Sequence, residues 1–549
     1  MAGERLFYLP LGGAGEIGMN AYVYGFGAEG SERLILVDAG VTFPDMESTP
    51  GVDLILPDFS WLFERSRQVD GIFLTHAHED HLGAVGVICR SIEAPVYARP
   101  FTMEIAAKKL EEFGVSKKIL REVATHPAES KAGPFTVSFL HAAHSVPEAS
   151  ALLLETPGGR ILHTGDFKFD ESPTMGDPLT ADSWKRAIGT GVTALVCDST
   201  NALQRRKGRS EASVGPGIQR LVEQAKGMVV ATTFASNIAR VSQIAQAGRL
   251  AEREIVLLGR AMHRMLNAAL QTGVVSDFPR TIEPNLAAGL PRNKLLVIAT
   301  GSQGEPRSAT AQLAAGKFQG IEVERGDTLL YSSKTIPGNE RAVSRIINMM
   351  AKKGVDVVDD SAEIYHVSGH PNGPDLENLH IALRPKSVIP MHGEYRHLLS
   401  HSNLAKKLGM QSLVAENGTV VEFGSCGPRI SEKIEAGRTY LDGFELIGAR
   451  DGVIRERRQI ARNGFVGVVL RRSGRRRAEV RATVWSAGLP AQDIADFEER
   501  LEEVAAARVA DKLSNSKSED EMKSIVARAV RHEVFDHVGK KPVVAVKFA

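Results

Sequence analysis

Three histidines and two carboxylates fall within six residues, in the run His76-Ala77-His78-Glu79-Asp80-His81. The run directly follows the apolar stretch Gly71-Ile72-Phe73-Leu74-Thr75, which is typical of a buried β-strand. Imidazole nitrogens supplemented by carboxylate oxygens are the ligands that zinc and similar divalent cations prefer. The alternative, a polar loop that is histidine-rich by chance, is weak because the chain has only 16 histidines in 549 residues. The run therefore predicts metal chemistry.

The spacing within this run suits two adjacent ions. His76 and His78 are two residues apart, so at the end of an extended strand their side chains point the same way. Asp80 and His81 follow, and we expect them on a turn. We therefore expect His76 and His78 at one ion and Asp80 and His81 at the other.

Two ions need more ligands than the run supplies, and other apolar stretches lead to suitable side chains. Open α/β folds build their sites at the ends of strands, so residues just behind such stretches are candidates. Taken alone, a histidine of this kind is more often structural, but together with the run the set favours one metal centre. The candidates are His144 after residues 135–140, Asp166 after residues 160–165, and His392 after residues 387–391.

A long stretch of chain separates Asp166 from His392, although both must reach the same centre. Between them, strand-like runs alternate with helical patterns, which indicates βα units and a parallel sheet. Two domains joined in series would leave His392 in the wrong domain, so we expect a module inserted into the metal-binding domain. The expected elements are strands at 228–232, 255–258, 295–299 and 328–332 and a helix at 237–250.

Taken together, these residues resemble a known group of proteins. The proposed ligands are similar to those of the metallo-β-lactamase fold, and further stretches resemble the three motifs of its β-CASP branch of nucleic-acid nucleases. Two more stretches narrow the resemblance to the ribonuclease J family, and the match extends over nearly the whole chain without a departure at a ligand position. The three motifs are Cys197-Asp198-Ser199-Thr200-Asn201, His366-Val367-Ser368-Gly369-His370 and Pro390-Met391-His392-Gly393-Glu394, and the narrowing stretches are residues 11–20 and Gly165-Asp166-Phe167-Lys168.

This resemblance implies an α/β protein with three structural parts. A metallo-β-lactamase αββα sandwich would carry an inserted β-CASP parallel α/β domain and be followed by a small α/β C-terminal domain. We place the first part of the metallo-β-lactamase domain at 1–205, the β-CASP domain at 206–362, the last part of the metallo-β-lactamase domain at 363–425, a linker at 426–460 and the C-terminal domain at 461–549.

In the C-terminal domain, residues 463–470 and 542–548 resemble strands, and residues 491–508 and 519–532 have helical periodicity. The run Arg471–Arg477 places five arginines on an expected turn. Such a turn is either simply solvated or in contact with RNA. The resemblance also implies that this domain helps subunits to pair.

The resemblance assigns roles around the ions. Two divalent cations are the expected cofactors, with zinc foremost and manganese or magnesium as alternatives. We expect His370 against the scissile phosphate, Asp198 orienting the imidazole of a metal ligand, and Asp38 as a structural neighbour. The first ion is assigned to His76, His78 and His144, the second to Asp80, His81 and His392, with Asp166 bridging both, and the expected catalytic residues are Asp80, His370 and Asp198.

Loops of the inserted module and the second motif offer hydroxyls, amides and backbone N–H groups to RNA. For each loop, ordinary turn and cap chemistry is the alternative. The resemblance implies that some of them form a pocket for a 5′-monophosphate, which would fix the phosphodiester that reaches the metals. The expected phosphate contacts are Ser236, Asn237, Ser302, Ser333, His366, Ser368, Gly369 and His370.

The composition of the chain limits how it can bind a partner and in which cellular compartment we expect it. The formal net charge is +1, so binding of a polyanion must come from local patches rather than a global field. Cys89, Cys197 and Cys426 are far apart, which is typical of reduced thiols in the cytoplasm. No stretch approaches about 18 consecutive apolar residues, so we expect no membrane span.

We therefore expect a cytoplasmic, metal-dependent ribonuclease acting on single-stranded RNA. The resemblance implies a 5′-to-3′ exonuclease that prefers 5′-monophosphate ends, with endonuclease activity as a second mode, in mRNA decay and rRNA maturation. It also implies a homodimer or homotetramer with RNA-decay partner proteins. The alternatives are a DNA-directed β-CASP nuclease, which His392 disfavours, a hydrolase of thioesters or lactones, and a non-catalytic RNA-decay scaffold, which the complete ligand set disfavours.

Overall fold

The computed structural model describes residues 3–45, 47–189, 191–336, 338–359, 365–473, 479–510 and 518–549. They group into two units, Met1–Thr42 with Leu56–Gly437 and Phe43–Ile55 with Arg438–Ala549. Every residue predicted for the metal centre lies in the first unit. No helix in these ranges is both long enough and apolar enough to span a bilayer.

An eight-stranded sheet forms one layer of the first unit. Pairing is antiparallel up to the strand Arg33–Val37 and parallel beyond it. The strand order is Gly427–Lys433, Thr419–Gly424, Arg5–Gly12, Ala21–Gly27, Arg33–Val37, Val69–Phe73, Val96–Ala98 and Leu120–Glu122.

A seven-stranded sheet packs against the first one. Tyr24 and Phe73 of the first sheet share a buried cluster with Phe139 and Ile389 of the second, and burial of such side chains is the main force that holds the layers together. Helix Pro100–Glu112 contacts strands of the first sheet and helix Tyr395–Lys407 strands of the second, which confirms the predicted αββα order. The strand order is Gln411–Ser412, Ser387–Met391, Ala194–Asp198, Gly159–His163, Ser150–Thr156, Phe135–His141 and Ser130–Ala132.

A five-stranded sheet is formed by the part of the sequence that lies between two strands of the seven-stranded sheet. The chain leaves that layer after strand Ala194–Asp198 and returns in strand Ser387–Met391, which pairs parallel with it. All pairs of the intervening sheet are parallel, as predicted, and buried apolar clusters cover both of its faces. Its strand order is Glu254–Leu258, Leu295–Ala299, Val229–Thr232, Thr328–Tyr331 and Asp356–Val358.

Helices and short elements complete the first unit. Local sequence explains several starts: the Asn237 side chain caps the helix that begins at Ile238, and Asn372 with Asp375 forms a capping box. The α-helices are Ser60–Phe63, Glu79–Leu82, Val85–Ile88, Pro100–Glu112, Ala181–Ile188, Gly215–Gln224, Ile238–Leu250, Arg260–Gln271, Pro284–Ala287, Ala309–Ala315, Glu340–Lys352, Gly373–Leu383 and Tyr395–Lys407. Short paired strands are Ala14–Gly15 with Gly393–Glu394 and Lys317–Phe318 with Ile321–Glu322, and 3₁₀ turns are Ser66–Gln68, Lys117–Ile119, Glu211–Val214 and Arg292–Lys294.

The second unit is a small α/β fold. Strand Phe465–Ser473 is central, antiparallel to Glu479–Ala487 and parallel to Val543–Phe548, and an apolar cluster joins this sheet to its helices. The predicted basic turn falls largely on residues 474–478, which lie outside the described residues. The helices are Val453–Asn463, Ile494–Ala510 and Glu519–Val538, and further strands are Leu54–Pro57, which begins in this unit, Arg438–Asp442 and Glu445–Gly448.

Two buried histidines connect helix Gly373–Leu383 with helix Tyr395–Lys407. The His401 Nε2 and His380 Nε2 atoms are 3.0 Å apart, and His401 Nδ1 lies 2.9 Å from the Ser199 hydroxyl. Burial lowers the pKa of His380 to about 4, and burial with the His380 neighbour lowers the pKa of His401 well below its ordinary value. Both rings are therefore neutral in the folded protein near pH 7.

We predict that this pair makes the fold acid-sensitive. Because the folded pKa of His380 lies below its ordinary 6.5, its stabilising contribution is present above pH 6.5 and is lost as the pH falls towards 4. Between about pH 7 and about pH 5 the loss through His380 amounts to about 2 kcal/mol. Urea unfolding of the metal-free protein at both pH values should show that acidification lowers the free energy of unfolding less in His380→Gln than in the wild-type protein. The exposed His532→Gln serves as control, and an undiminished loss in His380→Gln would contradict the assignment.

Candidate metal centre

Each predicted ligand follows the end of a strand, and these ends converge. The run His76–His81 follows strand Val69–Phe73, His144 follows strand Phe135–His141, and the remaining two follow strands of the same second layer. The expectation of a turn at Asp80 and His81 was wrong, since both lie in the short helix Glu79–Leu82. That helix turns both side chains back towards the strand ends.

The first predicted ligand set forms one tight cluster. His78 Nδ1 lies 3.1 Å from His76 Nε2 and 3.2 Å from His144 Nε2. Asp166 Oδ2 lies 3.8 Å from His76 Nε2 and 3.7 Å from His144 Nε2. All four ligand atoms fall within 4.8 Å of one another.

The second predicted set shares Asp166 with the first. His81 Nε2 is 3.2 Å from Asp166 Oδ2 and 3.7 Å from Asp80 Oδ2, and His392 Nε2 is 3.5 Å from the same Asp80 oxygen. The other Asp166 oxygen, Oδ1, is 2.7 Å from His392 Nδ1. Asp166 therefore stands between the two clusters, as a bridging ligand would.

The donor set fits divalent cations. Nitrogens of a tetrahedral set lie roughly 3.3 Å apart when each is about 2.0–2.1 Å from zinc, close to the separations of His76, His78 and His144. His392 Nε2 is buried and has no hydrogen-bond partner among the described residues. A buried imidazole nitrogen needs a partner, and a cation would provide one.

Electrostatics also favour ligation. Burial, helped by neighbouring imidazoles, lowers the pKa of His76 and His78 well below the ordinary value, and burial lowers the pKa of His144 to about 4. Burial alone would raise the pKa of Asp166, but His392, His81 and His370 hold it well below its ordinary value. In the first cluster, neutral imidazoles of His76, His78 and His144 beside an ionised Asp166 are the forms that bind metal.

Asp38 supports the histidine run from behind. Its Oδ2 accepts hydrogen bonds from His81 Nδ1 at 2.7 Å and from the Thr75 hydroxyl at 2.8 Å, and its Oδ1 accepts from the Thr75 backbone N–H. Asp38 is fully buried and has a φ of 62°. It therefore fixes which His81 nitrogen faces the centre, a role that carboxylates often play behind metal ligands.

Asp198 supports the opposite side of the centre. Its Oδ2 pairs with His370 Nδ1 at 2.8 Å, and its Oδ1 accepts from the Thr200 backbone N–H. Burial lowers the pKa of His370, but Asp198 and Asp166 outweigh burial and raise it to about 9. The imidazole that Asp198 orients is thus that of His370 and not that of a predicted metal ligand, and His370 offers a positive charge beside the ligands.

Thr200 is a functional residue that the sequence did not reveal. Its hydroxyl donates to the His392 carbonyl at 3.1 Å, and His392 has a φ of 48°, a strained backbone for a residue other than glycine. The bond helps to hold the loop from which His392 reaches Asp166. No spacing rule points to Thr200, although it lies within the first β-CASP-like motif.

The residues predicted to contact phosphate separate into two groups. Ser333, His366, Ser368 and His370 line a cavity of about 500 Å³. The others lie outside its lining: Asn237 caps a helix, the Ser302 carbonyl accepts from the Tyr331 hydroxyl, the Gly369 carbonyl accepts from His144 Nδ1, and Ser236 precedes the capped helix.

Gly369 is needed for close packing at the centre. A Cβ atom there would lie 2.6 Å from His144 Nδ1. The glycine therefore lets the second motif approach the first ligand cluster, where the Gly369 carbonyl accepts a hydrogen bond from His144 Nδ1.

Comparison with protein families matches four stretches of the chain. Residues 15–208 match the metallo-beta-lactamase superfamily, and residues 226–350 match the beta-CASP domain of ribonuclease J. Residues 354–415 match the Zn-dependent metallo-hydrolase RNA specificity domain, and residues 452–548 match the ribonuclease J C-terminal domain. The fold and the site thus define a hydrolase of the metallo-β-lactamase superfamily with a β-CASP domain.

Comparison with individual proteins narrows the class of this hydrolase further. The chain is 38% identical to ribonuclease J of Sinorhizobium meliloti, over 99% of this chain and 97% of the relative. It is 34% identical to ribonuclease J 1 of Streptococcus pyogenes, over 83% of this chain and 81% of the relative. The fold is also similar to the crystal structure of an Enterococcus faecalis protein of unknown function. The match covers 76% of this chain and 100% of that protein, with a TM-score of 0.51 and 15% sequence identity. This similarity concerns the fold alone.

The chain belongs to the ribonuclease J family. It is accordingly a metal-dependent ribonuclease that binds RNA and divalent metal.

We predict that Asp80→Ala and His81→Ala each lose one of two bound metal ions and more than about 100-fold of RNA hydrolysis, because each removes a ligand of the second cluster. Metal content of purified protein and hydrolysis of a 5′-monophosphorylated RNA measure the two effects. Glu79→Gln is the matched control, since the Glu79 side chain pairs with Lys109 at 2.9 Å and belongs to neither cluster. Full activity in Asp80→Ala would refute the ligand assignment.

Proposed function

We propose that this ribonuclease is a 5′-to-3′ exonuclease that anchors a 5′-monophosphate in the cavity beside His370. One observation carries the proposal. Two buried polar atoms of the cavity residues, Ser333 Oγ and His366 Nδ1, have no hydrogen-bond partner among the described residues. Buried polar atoms are rarely left without a partner, so their natural complement is a ligand with several acceptor or donor atoms.

The charge of the cavity favours an anion. Arg206, Lys207, Arg209 and Lys334 line it, with Asp359 as the acidic lining residue. Burial, with the nearby cations Arg240, Lys334, Lys168 and Arg209, lowers the pKa of His366 to about 3. Neutral His366 thus stands in a positive field, which is the environment that a terminal phosphate needs.

His370 connects this cavity with the metal centre. It lines the cavity, and its Nδ1 lies 2.8 Å from Asp198 Oδ2 and 3.8 Å from Asp166 Oδ2. Since Asp198 occupies Nδ1, Nε2 is the ring nitrogen that would meet a phosphate or a leaving oxygen. An RNA end held in the cavity would present a fixed phosphodiester to the centre, which explains stepwise removal from the 5′ end.

The ligand assignment made from the sequence is part of the proposal. His76, His78 and His144 would hold one cation, and Asp80, His81 and His392 the other, with Asp166 shared. Two such cations, zinc foremost and manganese or magnesium as alternatives, would activate water and stabilise the charge that builds on the phosphate. The protein's own part is to orient the imidazoles through Asp38, Asp198 and Thr200.

The wider role follows the family resemblance. We propose action in mRNA decay and rRNA maturation in the cytoplasm, with endonuclease activity as a second mode and a homodimer or homotetramer as the working form. The free thiols of Cys89, Cys197 and Cys426 support a reducing compartment. The domain boundaries and the RNA-decay partners expected from the sequence stay predictions.

We predict that the wild-type protein degrades RNA with a 5′-monophosphate faster than matched RNAs with a 5′-hydroxyl or a 5′-triphosphate, and releases mononucleotides. Ser333→Ala should lower kcat/KM for the monophosphate RNA by about 10- to 100-fold, because it removes a hydrogen bond to a charged group. Ser236→Ala is the matched control, a serine of the same module outside the cavity lining. Product sizing and initial rates measure both effects. Equal rates on all three ends would overturn the anchored-end proposal.

A further inference from the structure

Arg240 is an arginine of the inserted module with no exposed surface. It lies in helix Ile238–Leu250, and its side chain is buried away from bulk water. A buried guanidinium is costly unless it is paired and hydrogen-bonded. The groups that Arg240 contacts therefore indicate which parts of the protein this buried charge holds in place.

The Arg240 guanidinium joins three separate segments. Nε donates to Glu211 Oε1 at 2.7 Å. Nη1 donates to the Ser332 carbonyl at 3.2 Å, to the Ser332 hydroxyl at 2.9 Å and to the Tyr365 carbonyl at 2.8 Å. The Ser332 hydroxyl in turn donates to the Tyr365 carbonyl at 2.6 Å. The strand end at Ser332 is thereby fastened to the segment that begins at Tyr365.

The two fastened residues each precede a residue of the cavity. Ser333 follows Ser332, and His366 follows Tyr365. Ser333 Oγ and His366 Nδ1 are buried atoms of the cavity lining that have no hydrogen-bond partner in the described chain. Arg240 thus fixes the backbone directly behind both groups and sets the distance between them.

Glu211 extends this arrangement towards the metal centre. Its backbone N–H donates to Asp170 Oδ2 at 2.9 Å, and Lys168 Nζ lies 3.0 Å from that same oxygen. Lys168 is two residues beyond the shared ligand Asp166. The carboxylate that holds Arg240 is therefore tied to the loop that carries the metal ligand.

We propose that Arg240 is the positioning residue that sets the preference for a 5′-phosphate, by holding Ser333 and His366 in register with each other and with the metal centre. The inference rests on the anchored-end function proposed above. Lysine at this position keeps the charge next to Glu211 but lacks the planar fork that reaches Ser332 and Tyr365 together. Arg240→Lys therefore loosens the cavity and leaves every metal ligand in place.

Arg253 provides a matched control. It is also buried in the inserted module, and its guanidinium likewise donates to backbone carbonyls, among them Val222 at 3.1 Å and Gly227 at 2.8 Å. Neither partner lines the cavity. Arg253→Lys therefore reproduces the loss of a buried guanidinium without disturbing the phosphate pocket.

The test is the ratio of kcat/KM for 5′-monophosphate RNA to kcat/KM for matched 5′-hydroxyl RNA, measured in the full chain with metal content checked. We expect Arg240→Lys to lower this ratio about tenfold, chiefly through a higher KM for the monophosphate RNA. Arg253→Lys should leave the ratio unchanged, even where both variants lose stability. Ser332→Ala, which removes one acceptor of Arg240, should lower the ratio in the same direction and serves if Arg240→Lys does not fold.

The possible failures can be told apart. A wild-type protein without a 5′-monophosphate preference overturns the proposed function and this inference with it. A wild-type preference that Ser333→Ala abolishes, but that Arg240→Lys and Ser332→Ala both retain, overturns the inference alone. An equal fall of the ratio in Arg240→Lys and Arg253→Lys also overturns it, because the effect is then general to the module.

Discussion

The buried carboxylate of Asp166 is the group on which the site depends. It is 2% exposed and belongs to each group of residues near it that could hold a cation. A buried charge is stable only when it is compensated, and here the imidazoles of His392, His81 and His370 provide the compensation. Because His392 is one of them, the chain must return to the second sheet after its long excursion. Compensation of the Asp166 charge thus depends on the topology of the first unit, which brings His392 to the centre.

Hydrogen bonds around the centre also tie the second motif and the inserted module to the sandwich. The Gly369 carbonyl accepts from His144, and the Ser368 hydroxyl accepts from Asn201 at 2.8 Å, next to the Asp198 segment. On the other side, Glu211 and Arg240 connect the loop of Asp166 to the cavity. A network of buried hydrogen bonds limits the movement of the segments that it joins. A cavity built into such a network can place a bound phosphate accurately.

Much of this arrangement could be predicted from local sequence. The ligands stand directly behind apolar runs, and the strands of the module are continuous apolar segments, so the position of the site and the parallel sheet follow from pattern alone. The helix that carries Asp80 and His81 was missed because four residues are too few to show a helical period. Thr200 and Arg240 were missed because the carbonyl groups to which they donate lie far along the chain, 192 residues away for Thr200 and 92 and 125 residues away for Arg240. Only the fold can supply such contacts.

Substrate selection then has a local rather than a global origin. A chain with a net charge of +1 has little long-range attraction for a polyanion, so RNA must be held where cations are concentrated. The cavity collects Arg206, Lys207 and Lys334, and it meets the metal centre at His370. A phosphate bound there is therefore held by position as much as by charge. In the function proposed above, such a site would distinguish the end of an RNA from its interior, because only an end has a terminal phosphate that is free to enter.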